Sequence, residues 1–162
     1  MKIILVVGLL SITFGFAKTN KQLMTTKYAG VYKAKKGSIG SVTVYPETDS
    51  TILFYIDISK GAPSYNLGQL YARLKIKDGE GIYFSTDFDN TDEKKGCKWQ
   101  MTIKKQMLTI KTIEDCYECG FGANVIGDNQ YTLKNSKIPQ FFIDGTNNKI
   151  FFSKTSPKDY FK

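Results

Sequence analysis

The chain has 162 residues, 23 of them basic and 15 acidic, for a net charge of +8, a length suited to one domain with its own core. It contains no histidine, which excludes Ser-His-Asp and Cys-His catalysis and the usual histidine-bearing zinc sites. The positive charge is almost all lysine, with Arg73 the sole arginine. Nucleic-acid readers lean on the bidentate arginine fork, so nucleic acid is not an expected partner.

The N-terminus reads MKIILVVGLLSITFGFA. Lys2 supplies a positive start, Ile3 to Phe16 is apolar or small, and Gly15 and Ala17 place small residues at the −3 and −1 positions of a cleavage site. This is the pattern of a secretory signal peptide, and the run is shorter than the roughly 20 apolar residues of a spanning helix. Cleavage after Ala17 predicts a secreted or periplasmic domain over residues 18–162 with a net charge of +7. No stable membrane insertion is expected after cleavage.

From Tyr28 onward the pattern has a period of two. Segments 28–36, 41–46, 51–59, 70–77, 81–86, 97–105, 107–114, 121–126, 130–134 and 149–154 are short and rich in β-branched and aromatic residues. Turn chemistry such as Lys77-Asp78-Gly79-Glu80-Gly81 and Gly127-Asp128-Asn129 separates them. Such spacing predicts an all-β, single-domain antiparallel meander closing into a small barrel or sandwich, with a calycin-like barrel the favoured form. Lysines alternate with apolar residues, as in Leu74-Lys75-Ile76-Lys77, which marks the wet face of strands and resists edge-to-edge aggregation.

Two loops stand out. Lys60 to Gly68, KGAPSYNLG, is the longest turn-like interruption among the central strands; Pro63, Tyr65 and Asn66 make it a candidate binding loop, because recognition concentrates on loops held by a rigid scaffold. Asp87 to Glu93, DFDNTDE, gathers oxygen ligands. It fails the EF-hand pattern, with Asp92 at the sixth position in place of glycine and Lys98 at the twelfth in place of glutamate. A solvated hairpin loop is expected there, and no metal or cofactor.

The hairpin around Lys105-Gln106 has a testable register. Ile103 should face Leu108, Met101 should face Ile110 and Trp99 should face Thr112, which puts the apolar residues and Trp99 in the core. Cys97 would then fall opposite Glu114, with Cys116 one diagonal step away. Redox chemistry is not expected of Cys116-Tyr117-Glu118-Cys119: Asp115 and Glu118 raise a thiol pKa, and the following Gly120-Phe121-Gly122-Ala123 is not a helix start. A structural disulfide fits an exported domain. A bridge from Cys97 to either Cys116 or Cys119 closes a loop of about 20 residues, worth roughly 3 kcal/mol in the loop-entropy model. Strand register alone favours Cys116, provided that a bulge or turn forms at Asp115.

Gly30-Val31-Tyr32, the Gly61–Gly68 loop, the lone Cys97 opening a strand, Cys119-Gly120-Phe121-Gly122 with Val125, then Tyr131 and Phe151-Phe152 together resemble a family of small, uncharacterised exported bacterial proteins. The chain departs from that pattern at Asn129-Gln130, where a glycine usually precedes the tyrosine. The resemblance implies a Cys97–Cys119 bridge with Cys116 the extra thiol, and it carries no activity.

The resulting expectation is a non-catalytic exported binding domain, not an enzyme. Its partner would be an unknown protein, glycan or small apolar ligand. An inhibitor of a lytic enzyme such as lysozyme is the alternative, although a basic chain meets cationic lysozymes with like charge. A carboxylate enzyme would need Asp57 and Asp87 brought together, and no motif does that.

Overall fold

The computed structural model describes residues 22–35, 39–86 and 96–160. The leader and the acidic loop at 87–93 therefore lie outside the described residues, as does Asp87 of the supposed carboxylate pair.

A 3₁₀ turn at Met24–Tyr28 precedes eight strands: β1 (Gly30–Ala34), β2 (Ile39–Pro46), β3 (Thr51–Ser59), β4 (Leu67–Lys75), β5 (Glu80–Thr86), β6 (Gly96–Lys104), β7 (Met107–Tyr117) and β8 (Asn129–Asn135). They form one antiparallel sheet in the order β4-β3-β2-β1-β8-β7-β6-β5. Because β1 pairs with β8, the meander curls into a nearly closed barrel, as the period-two pattern predicts. A short hairpin, β9 (Phe141–Ile143) and β10 (Lys149–Phe151), and the helical turn α1 (Pro157–Tyr160) follow.

The barrel lumen is filled. Tyr32, Phe54, Tyr71, Trp99, Met101 and Tyr131 are among the fully buried side chains, all of them inside the barrel except Tyr71, which lies on its outer face. Two phenols inside the barrel are hydrogen-bonded: Tyr32 Oη donates to the Tyr28 carbonyl at 2.8 Å and Tyr131 Oη to the Gly127 carbonyl at 2.9 Å. A packed interior of this kind leaves no space for an apolar ligand along the barrel axis.

Strand β3 is buried along nearly its whole length. Ile52, Phe54 and Ile56 point into the barrel, while Leu53 and Tyr55 join a second cluster on the outside with Tyr71, Phe142 and Phe152. The β9–β10 hairpin supplies that outer cover: the Phe142 ring stacks on Tyr55 with centroids 3.9 Å apart. A strand covered on both faces reads as a continuous apolar run, which is why TILFYI lacks the alternation of its neighbours.

The β6–β7 register is Ile103↔Leu108, Met101↔Ile110 and Trp99↔Thr112, as expected, and it breaks between Trp99 and Cys97. Glu114 adopts φ 57°, so β7 bulges and Cys97 faces Tyr117 rather than Glu114. The bulge carries the chain onward so that Cys119, not Cys116, meets Cys97; the Cys97–Cys119 disulfide has its Cα atoms 4.5 Å apart. The register-based preference for Cys116 is thereby corrected.

Segment 121–126 is not a strand. Gly120 (φ 70°) and Asn124 (φ 61°) turn the chain, and Phe121 packs on Gly68, where an added Cβ would lie 2.6 Å from its ring.

Candidate functional site

Connections β3–β4 and β7–β8 share one end of the barrel, and the 3₁₀ turn covers the other through Thr25 and Tyr28, both buried. The predicted loop sits at the first end and is held rather than free. Lys60 N donates to Asn66 O at 3.0 Å, Tyr65 N to Gly61 O at 2.8 Å, and the Asn66 side-chain amide to Ala123 O at 2.8 Å. Gly122 N completes the tie to Leu67 O at 2.9 Å. The Ala62–Pro63 peptide is cis, and Pro63 and Tyr65 are exposed.

Around Tyr65, the same end exposes Ile39, Leu67, Tyr117 and Ile126, each more than half accessible. This is an apolar rim on a fixed scaffold. Two open hollows adjoin it, one between Ile39, Ile58 and Leu67 and the other along Tyr117 to Ile126.

A more enclosed cleft lies in the barrel wall. Strands β4 and β5 follow one another in the chain yet stand at opposite ends of the sheet order. They touch only at their turn, where Lys77 and Glu80 exchange backbone hydrogen bonds, each 2.9 Å. There Gly81 packs so close that an added Cβ would lie 2.3 Å from Lys75 O. Above that foot the wall stays unsealed, leaving a cleft of about 460 Å³.

One side of the cleft is β4 from Gln69 to Arg73, and the other is β5 from Tyr83 to Ser85. Its upper part is formed by the Cys97–Cys119 bridge with Glu118 and Gly120, and its lip by Pro157 and Lys158. The C-terminal segment is fastened to this wall by Tyr71 Oη, which donates to Thr155 O at 2.8 Å. Arg73 is engaged in a two-point ion pair with Glu47, and that hydrogen bond raises the guanidinium pKa further.

The phenols beside the cleft are neutral hydrogen-bonding groups. Burial pushes the Tyr71 hydroxyl well above its ordinary value of 10.0, with the Glu47 carboxylate adding to the shift. Burial also raises Tyr83, against a smaller opposing effect of its hydrogen bond to Ser85. Tyr83 is held edge-on to Phe54, with centroids 5.5 Å apart, and beside Trp99 at 5.7 Å. Its ring is thus a fixed wall.

Among the predicted site residues, Cys97 and Cys119 reach the cleft, whereas Pro63, Tyr65 and Asn66 do not. Asp57 lies elsewhere and accepts a hydrogen bond from the Gln69 side chain at 3.3 Å. Among the described residues, no three Asp, Glu, His or Cys side chains gather as metal ligands. Tyr71, Tyr83 and Lys158 went unnoticed in the sequence; the alternation in LYARLKIK places Tyr71 outward, but only the C-terminal hairpin makes that outward position buried.

Comparison of the chain with protein-family profiles, with curated proteins and with solved structures found no match.

Proposed function

We propose that this chain is an exported, non-catalytic binding domain that takes its ligand in the cleft between β4 and β5. One observation carries the reading: the barrel is packed through its centre, and its wall opens in a cleft of ligand-site size lined by Tyr71, Tyr83 and the Cys97–Cys119 bridge. At about 460 Å³ it falls within the usual range for ligand pockets. Fixed aromatic side chains, a disulfide and strand backbone line it, an inventory suited to holding a ligand. The leader-like N-terminus and the disulfide support export.

An NMR screen of the mature chain against a library of small aromatic, sugar and dipeptide fragments tests this. Amide shifts should concentrate on Gln69–Arg73, Tyr83–Ser85 and Glu118–Gly120. Shifts confined to the rim around Tyr65, or none with any fragment, would refute the cleft as the site.

A further inference from the structure

We infer that the natural occupant of the cleft is an extended segment of a partner protein, which adds as a strand between β4 and β5. This rests on the binding reading above and goes further, because the backbone of the two walls specifies the chemistry of the ligand.

The phase of each ladder follows from the hydrogen bonds at its ends. Ile76 N donates to Ser50 O at 2.8 Å and Lys60 N to Asn66 O at 3.0 Å. Both bonds belong to the register that pairs Ile52 with Leu74 and Ile58 with Gly68. In an antiparallel ladder the hydrogen-bonded pairs recur at every second residue. Leu70, Ala72 and Leu74 therefore spend their N–H and C=O groups on β3. Gln69, Tyr71 and Arg73 turn theirs towards β5.

The opposite wall follows the same logic. Ile103 N donates to Gly79 O at 2.7 Å, on the register that pairs Gly81 with Met101 and Tyr83 with Trp99. Gly81, Tyr83 and Ser85 are thus bonded to β6, and Ile82 and Phe84 face β4. The phase agrees with the foot of the cleft, where Lys77 and Glu80 bond to each other across it. A regular continuation would pair Lys75 with Ile82 and Arg73 with Phe84, and no such pairing exists among the described residues.

The cleft is therefore bordered by two rows of backbone donors and acceptors, repeated at every second residue. A small molecule can satisfy one or two of them. An extended backbone matches the whole period, as in recognition by strand addition. Because β4 and β5 run in opposite directions, the guest is antiparallel to one and parallel to the other. The stretch from Gln69 to Arg73 is about 13 Å long, room for four or five residues.

Alternate guest side chains would point inward against Leu70, Ala72, Tyr83 and the disulfide, which favours small and branched apolar residues. The others face outward, towards the lip at Lys158. Glu47 already neutralises Arg73, and Glu118 is the acid in the described lining. The mature chain's net charge of +7 attracts a segment with acidic flanks.

Selection of unstructured ten-residue peptides from a random display library on the mature chain, followed by amide hydrogen exchange on the best peptide's complex, tests the inference. Enriched peptides should carry apolar residues at alternate positions between acidic flanks. The amides of Tyr71, Arg73, Ile82 and Phe84 should exchange at least about tenfold more slowly in the complex, as newly bonded edge groups do. Those of Leu70 and Ala72, already bonded to β3, should not change. Phe84→Pro removes one cleft-facing donor without touching the β5–β6 ladder and should weaken binding about three- to tenfold, the worth of one backbone hydrogen bond. N-methylation within the peptide's central residues is the matching change that cannot disturb the protein's fold, and it should lower affinity similarly.

Retention of affinity by N-methylated peptides, or protection that appears only around Tyr65 and Tyr117, would overturn the inference. So would cleft amides that become protected with rising protein concentration alone, which would make a second copy the guest. If fragments map to the cleft but no library peptide binds, the peptide assignment falls and the cleft stands as a site for another ligand. If neither binds, both readings fall.

Discussion

Removal of the Cys97–Cys119 bridge by the double change Cys97→Ala and Cys119→Ala should cost the fold about 3 kcal/mol. The figure follows from the sequence separation of 22 residues: closing a loop of that size removes about 11 cal/mol/K from the unfolded chain in the loop-entropy relation, or about 3 kcal/mol at room temperature. With an m-value of about 1.5 kcal/mol/M, the urea midpoint should fall by about 2 M. Trp99, the single tryptophan, reports this directly. It is fully buried, and its indole N–H has no hydrogen-bond partner among the described residues. Unfolding moves it from an apolar site into water, so its emission should shift to the red in one transition. Thiol counting provides the control: the denatured, unreduced wild type should take one alkyl group, on Cys116, and three after reduction. A midpoint unmoved by the double substitution, or three thiols alkylated before reduction, would refute both the magnitude and the pairing.

Alkaline pH should unfold the protein cooperatively. Burial raises the Tyr32 phenol to about 12 and pushes Tyr55, Tyr71 and Tyr131 up as well, from an ordinary 10.0. The stability these neutral phenols lend is complete below pH 10 and drains away as pH rises towards their folded values; phenolate absorbance and near-UV circular dichroism should change together there, and ionisation of buried tyrosines with the dichroism intact would contradict this. Phe142→Ala empties the centre of the outer cluster and should cost about 3–5 kcal/mol, with trypsin cutting sooner after Lys149 and Lys154; unchanged digestion would mean that the hairpin is held by something else. Asp144 accepts hydrogen bonds from Asn148 N at 2.8 Å, Thr146 Oγ1 at 2.8 Å and Thr146 N at 3.0 Å, with the Asn148 bond foremost in holding its carboxyl below the usual 3.8. Its contribution is present above that value and fades as pH falls through the lowered one, so amide exchange at Asn148 should speed up in strong acid, and in Asp144→Ala already at neutral pH. Gly81→Ala drives a methyl into the Lys75 carbonyl and should cost about 1–3 kcal/mol, with faster exchange at the Lys77 and Glu80 amides as the readout.

The barrel's strands were largely legible because a half-buried strand writes its face into every second residue. The hairpin from Trp99 to Thr112 shows this best, since its turn and apolar pairs admit only one register. Legibility failed where the backbone departs from strand geometry. The positive φ at Glu114 shifts the pairing by more than a residue, and nothing in glutamate's chemistry advertises it. FGANVI has strand composition, but Gly68 on a distant strand is bare enough to receive Phe121, and that contact bends the segment into a loop. Residues 149–154 promised a single strand; only Lys149–Phe151 pairs, with a partner at Phe141–Ile143 that two neighbouring phenylalanines did not signal. The cleft was the least visible feature. It depends on how far eight tilted strands reach around a circumference, a global quantity that no local pattern carries, and Tyr71 becomes part of it only when a hairpin seventy residues onward folds back.

The place of the cleft in the chain order has a mechanical consequence. The ring is fastened by its most distant segments, β1 and β8, and interrupted between immediate neighbours joined by a tight turn. Widening the interruption therefore breaks no long-range pairing; it requires only that a continuous sheet flex, pivoting on the bend at Asp78 and Gly79. The domain has the layout of a spring clip, in which the grip on an inserted object is set by sheet stiffness and tuned by the sulfur cross-link beside the jaws.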